Sequence, residues 1–256
     1  MYIDETISRI MALLLGRAPG FDAFMLTVSA SNLLKGAALI AAASCFWIAP
    51  SGGTTPGNRI GLAADRAILA TAMLASCVGE VIALALAKLM PFRLRPFLQE
   101  DLAMHVPQGL RDLAPKMMEQ SSFPSDHAVL FVAMATGLWL VNRRAGLLAY
   151  AYVSFVILLP RLYLGLHFAS DLLVGGLIGV GVVLVGVRLM ADSAPMRWLA
   201  AQTFERPVLV NPVLMLITFQ IATMLSDMRD FADLAGDLTG LDNDRPQAAA
   251  MPAAAA

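Results

Sequence analysis

Long apolar blocks, separated by short clusters of charge and by glycine and proline, set the pattern of this chain. A helix needs about 20 mostly apolar residues to cross a bilayer. Six stretches come near that length: 31–50, 67–90, 125–141, 145–165, 168–190 and 207–226. The pattern predicts an all-α fold, a polytopic transmembrane helical bundle of about six spans. Residues 1–30 read differently. Arg9 and Arg17 bound a short apolar run, and Gly16, Pro19 and Gly20 break the segment in two. It is expected to be amphipathic and to lie at the membrane surface. Acids rather than bases occupy the first residues, which speaks against a cleavable signal peptide. The membrane-embedded domain is then 31–226, and 227–256, acidic and then rich in Ala and Pro, reads as a disordered tail. Asp242-Asn243-Asp244 in that tail lacks the rest of a calcium loop and reads as solvated acid.

Composition supports the membrane reading. The chain is 58% hydrophobic and 14% charged, against about 45–50% and about 25% for an ordinary soluble domain. A net charge of −1 gives no basis for nucleic-acid binding. Cys45 and Cys77 sit in separate apolar blocks, without a metal-type spacing. With six spans, the long connection 92–123 and the junction 161–168 share one face. The connections 51–66, 142–144 and 191–206 share the other, with Arg59, Arg66, Arg143, Arg144, Arg188, Arg197 and Arg206. The positive-inside rule makes that arginine face cytoplasmic and the first face extracytoplasmic. Pro50–Arg66 reads as a turn between spans.

Ionisable residues beside membrane spans are costly, so their placement is informative. One cluster is Lys88 followed by Arg95-Pro96, where snorkelling side chains are the ordinary explanation. The next is Ser122-Phe123-Pro124-Ser125-Asp126-His127, which reads as a capped helix start and, by the same token, as a site for an anion. The last is Arg161, His167 and Asp171. His167 and Asp171 are spaced i and i+4, so in a helix they share a face and the carboxylate can hold the imidazole. Together the clusters supply what phosphoryl transfer needs. Lys88, Arg95, Arg161, Ser125 and the backbone at Asp126 would bind phosphoryl oxygens. His167 would attack phosphorus, His127 would protonate the leaving oxygen, and Asp171 would orient His167.

These clusters resemble the three signature motifs of the type-2 phosphatidic acid phosphatase superfamily: Lys-x6-Arg-Pro, Pro-Ser-Gly-His and Ser-Arg-x5-His-x3-Asp. Here they read Lys88 to Pro96, Pro124-Ser125-Asp126-His127, and Pro160-Arg161 to Asp171. The resemblance spans about residues 88–171. It implies the roles just given, no metal and no cofactor, and a lipid phosphate or diphosphate as substrate. Two positions depart from the pattern. Pro160 stands where the family has Ser, and Asp126 stands where it has Gly, placing a carboxylate near an anionic substrate. The form Ser-Phe-Pro-Ser-Asp-His is similar to the bacterial undecaprenyl pyrophosphate phosphatases. That similarity implies a multi-pass protein of the bacterial inner membrane with its active site facing the periplasm. Phosphatidic acid, phosphatidylglycerol phosphate, lipid A and phosphotransfer to another acceptor are alternatives. A lipid transporter is the non-enzymatic one. Membrane lipids are the expected partners. Glu80, deep in the second span, is a candidate for a structural pair with Lys35 or for a supporting role at the site. His105, in the long connection, is expected to be solvated.

Overall fold

The computed structural model describes residues 2–48, 59–112 and 114–223. The tail beyond 223 and residues 49–58, which hold most of the turn expected at Pro50–Arg66, lie outside the described residues. Among those described there are helices and no strand. The chain opens with α1 (Tyr2–Leu14) and α2 (Pro19–Ala30), parted at Gly16 as the sequence suggests. Then follow α3 (Leu33–Ile48) and α4 (Arg59–Leu89). After the long connection come α5 (Asp126–Val141), α6 (Arg143–Tyr163) and α7 (Ala169–Met190). The described part closes with α8 (Ala194–Glu205) and α9 (Pro207–Ala222).

By length and composition α4, α6 and α7 can each cross a membrane alone. A further span arises if α2 and α3 count as one helix bent by 69°. The positions expected at 125–141 and 207–226 hold shorter apolar helices. If that bent pair is one span, it begins in α2, inside the 1–30 segment expected at the membrane surface, rather than at 31. The outward faces of the long helices are oily. Leu173, Leu177 and Leu184 on α7 are 69%, 71% and 44% exposed, as lipid-facing side chains are.

Helix α5 is the central element. Leu130, Phe131, Ala135 and Leu138 are buried with Leu39, Leu69, Val153 and Ile157 from its neighbours. A helix apolar all round is one covered on every side. Lipid tails are as apolar as leucine, so close packing rather than water exclusion holds such helices together. Gly175 and Gly179 of α7 show how close. A Cβ at Gly175 would stand 2.5 Å from the Ser125 carbonyl oxygen, and one at Gly179 would stand 2.4 Å from that of Val129. Only glycine lets α7 approach the start of α5 this nearly, and that contact joins the two helix ends that carry the histidines.

Two stretches expected to be loops are helical. Residues 59–66 extend α4, and Arg66 is buried there: Nε donates to the Trp47 carbonyl, Nη1 to Thr203 Oγ1, and the guanidinium stacks on Phe204. Residues 194–205 form α8, started by Ser193 capping and by Pro195 in the first turn. Its Met196 and Ala200 pack on Ala67 and Ala70 of α4. Both segments are too charged to read as spans, and their helicity comes from packing on α4.

Candidate active site

The site forms where the long connection, the start of α5 and the turn between α6 and α7 meet. Pro96 restricts the residue before it to extended backbone, and Arg95 adopts φ −66°, ψ 148°. The chain then runs beside the α6–α7 turn: the Phe97 N–H donates to the Gly165 carbonyl, and Arg95 Nη1 donates to that of Leu166. Gly165 sits at φ +68°, and a Cβ there would lie 2.6 Å from Met104 Sδ. A left-handed turn in so tight a space requires glycine.

His167 is buried in this turn. Its Nδ1–H donates to the Ser122 carbonyl at 2.8 Å, and Arg95 Nη1 approaches Nε2 at 3.4 Å. A carbonyl on one nitrogen and a cation on the other select the tautomer with the proton on Nδ1 and a bare Nε2. Burial, followed by the Arg95 guanidinium, holds the imidazole far below its ordinary value, at about 3. The ring is therefore neutral, as a nucleophile must be. Burial also lowers Arg95, with Asp126 and Asp171 opposing it; an arginine remains cationic there.

The direct pair between Asp171 and His167 expected from their spacing does not form. Helix α7 starts at Ala169, so His167 lies before it and i, i+4 geometry does not apply. Asp171 instead accepts from Ser122 Oγ, the Phe168 N–H and Arg93 Nη1. It reaches the imidazole through Ser122, whose hydroxyl it holds and whose carbonyl holds the ring.

Ser125 caps α5, its Oγ accepting from the Ala128 N–H, and its own N–H donates to the Asp171 carbonyl. Asp126 turns its carboxylate onto the next residue: Oδ1 accepts from the His127 N–H at 2.7 Å and lies 2.8 Å from His127 Nδ1. One donor atom from each of Asp126, His127 and His167 falls within 4.8 Å of the others. Arg161, buried, donates to the Ile157 and Ser29 carbonyls and leaves Nε without a partner. Arg95 Nε is likewise unpartnered and buried. Two orphaned guanidinium N–H groups beside paired histidines suit an oxyanion. Pro160, the other departure from the family pattern, carries no N–H, and the preceding turn Val153–Leu158 opens into a π-helix.

Arg95, Asp126, His127, Arg161 and His167 are thus gathered. Lys88 is exposed at the end of α4, and no hydrogen bond or ion pair ties it to them among the described residues. Sequence reasoning also missed contributors. Arg93 and Asp4 bind the start of α7, and their signal was no more than charge near a motif. Lys35 is buried in the π-helical opening of α3, where Arg161 and Asp126 are the charges that act on it; an intramembrane lysine was the available sign. His105 is exposed, as expected, at an open cleft of about 610 Å³ lined also by Arg9, Arg17 and Asp101.

A bundle of apolar helices long enough to cross a membrane, with two histidines and two unpartnered guanidinium N–H groups gathered beside it, suits the binding of a phosphate group. The chain belongs to the PAP2 superfamily, whose family model matches residues 66–195, just over half of its length. Over 60 residues it is 33% identical to the "Bacitracin transport permease protein BcrC" of Bacillus licheniformis. That stretch covers 23% of this chain and 29% of the Bacillus protein. No solved structure matches.

Proposed function

We propose that this protein is a lipid phosphatase that works by two-step phosphoryl transfer through His167, with no metal, on undecaprenyl pyrophosphate. His167 Nε2 attacks the terminal phosphorus, the bond from that phosphorus to the bridging oxygen breaks, and His127 supplies the proton that leaves with undecaprenyl phosphate. Water then attacks the phosphohistidine and releases phosphate, giving its proton to His127. Arg95, Arg161, Ser125 and the backbone at Asp126 bind the phosphoryl oxygens, and Lys88 joins them only once substrate draws its exposed chain inward. Fixed cations around the equatorial oxygens are the main source of rate in such reactions. The carrying observation is the bare, neutral Nε2 of His167 beside Arg95 and within reach of a second histidine.

The choice of lipid rests on the Ser-Phe-Pro-Ser-Asp-His form and is compatible with the short similarity to the Bacillus protein. It carries with it the bacterial inner membrane and a site on the periplasmic side. That relative's printed name speaks of bacitracin transport, which keeps a transporter, here a lipid carrier, as the second reading. A carrier has little use for a nucleophile and an acid held in one cluster.

Phosphate release by the detergent-purified protein tests both readings, with EDTA present and His167→Ala as control. Undecaprenyl pyrophosphate, phosphatidic acid and phosphatidylglycerol phosphate are compared. The expected result is EDTA-resistant release, fastest from the polyprenyl diphosphate and abolished in the variant. Faster release from a glycerolipid replaces the substrate and keeps the mechanism. Full activity in the variant removes His167 from it, and no release from any lipid favours the carrier.

A further inference from the structure

Helix α1 is docked in an unusual way. Its larger apolar side chains face outward: Ile3, Ile10, Leu13 and Leu14 are 75%, 48%, 63% and 45% exposed. What it buries at its start is an acid, Asp4, only 8% exposed. A buried carboxylate is costly unless it is fully hydrogen-bonded, and this one is supplied entirely from elsewhere in the chain. Oδ1 accepts from the Ser170 N–H at 2.9 Å, and Oδ2 accepts from Ser170 Oγ and from Arg93 Nη2 at 2.7 Å. Burial pulls its carboxyl upward, but these bonds outweigh it and hold the group below the ordinary aspartate value.

The contacts continue inward. Arg93, stacked on the Phe168 ring with its guanidinium carbon 3.9 Å from the centroid, donates from Nη1 to Ser170 Oγ and Asp171. Asp171 accepts from Ser122 Oγ at 2.6 Å, and the Ser122 carbonyl accepts from His167 Nδ1. The far end of α1 lies against the same turn, with Met11 and Leu15 packed among Tyr163, Leu164 and Leu166. The helix thus braces the nucleophile's turn from both sides, with the ion pair at one end and apolar packing at the other.

We infer that Asp4 is a positioning residue for catalysis: from the surface helix it fixes Arg93, Asp171 and Ser122 in line, and so sets the tautomer of His167. The chain of contacts gives Asp171 its influence on the nucleophile without touching it. It also makes the docking of a lipid-surface helix a condition for an ordered active site. This rests on the assignment of His167 as nucleophile for its kinetic consequence, but not for its structural one.

Two measurements test it. The chain has three histidines, so His105→Gln with His127→Gln leaves His167 alone for ring ¹⁵N NMR in lipid. With Asp4 intact, the spectrum should show one Nδ1–H tautomer. Asp4→Ala should give mixed tautomers, and Asp4→Asn, which keeps the acceptor for Ser170 and loses the charge facing Arg93, should give a smaller change. In the otherwise wild-type chain, Asp4→Ala should lower kcat at least tenfold with KM within twofold. Arg93→Ala should do the same, and the double variant should be no worse than either, since members of one network do not add. An unchanged tautomer in Asp4→Ala overturns the inference, as does a double variant whose losses multiply. If Asp4→Ala does not fold, Asp4→Asn is read in both measurements, and an unchanged tautomer there overturns it equally. A wild-type protein without phosphatase activity refutes the proposed function, while the tautomer still decides the role of Asp4.

Discussion

Asp126 Oδ1 lies 2.8 Å from Nδ1 of His127, the residue directly after it. Where the family carries glycine, this chain carries a carboxylate that faces His127, the proposed acid. The pairing turns the ring so that Nε2 is the nitrogen left for chemistry, much as a triad carboxylate does for its histidine.

The dyad can be removed by restoring the family residue. Asp126→Gly should fold, and kcat should fall about tenfold or more, because a hydrogen bond to a charged group is worth about 1.5–3 kcal/mol and each 1.4 kcal/mol is about tenfold in rate. KM should change little, since no substrate contact is lost. Asp126→Asn, which keeps an acceptor without the charge, should fall between. Steady-state kinetics on the substrate identified by phosphate release measure both. A rise in KM alone would make Asp126 a phosphate-binding residue instead.

Acid should weaken the resting fold. The unfolded chain protonates His167 near its ordinary value of 6.5, while the folded one resists until about 3. As pH falls through that window the unfolded state takes a proton the native state refuses, so stability is lost with falling pH. Between pH 6.5 and 4.5 the loss is about 1–3 kcal/mol. Asp4 works in the same sense but at lower pH: its carboxyl is held below the ordinary value, so its stabilisation is present above that value and is lost as pH falls through the carboxylate range, outside this window. Thermal melts in detergent at the two pH values should show a larger drop for wild type than for His167→Gln. Equal drops would mean that His167 is not the group responsible.

The contact between α5 and α7 should tolerate no side chain. Gly175→Ala places a methyl 2.5 Å from the Ser125 carbonyl oxygen, and backbone cannot yield as a flexible side chain does. Overpacking of this kind costs about 1–3 kcal/mol. The shift also moves Ser125 and His127 relative to His167, so phosphatase activity should fall further than the melting temperature explains. Gly181→Ala, where nothing lies within 4 Å of the added methyl, is the control and should behave as wild type.

The side of the membrane is open to direct test. A reporter fused within the 92–123 connection should read as extracytoplasmic, and one within α8 as cytoplasmic. The opposite pattern would place the site inside the cell and overturn hydrolysis on the periplasmic side. Arg66 weakens the positive-inside argument, since it is a buried structural cation between Trp47, Thr203 and Phe204 rather than a loop charge.

Much of this protein is legible in its sequence because the information is local. Apolar length separates α4, α6 and α7 from the connections, and Pro96, Ser125 and Gly165 dictate the backbone at their own positions. Motif spacing named Arg95, His127, Arg161 and His167 before their geometry was known. The bend that joins α2 to α3, and α8 where a loop was expected, were hidden because packing on neighbours decides them. The partners of the catalytic groups were hidden for the same reason. His167 is held by a carbonyl 45 residues away, Asp171 by an arginine 78 away, and that arginine by Asp4, 89 residues distant. Spacing tells which residues can share a helix face; it carries no information on contacts closed by the folding of separate segments, and those contacts select the Nδ1–H tautomer of His167.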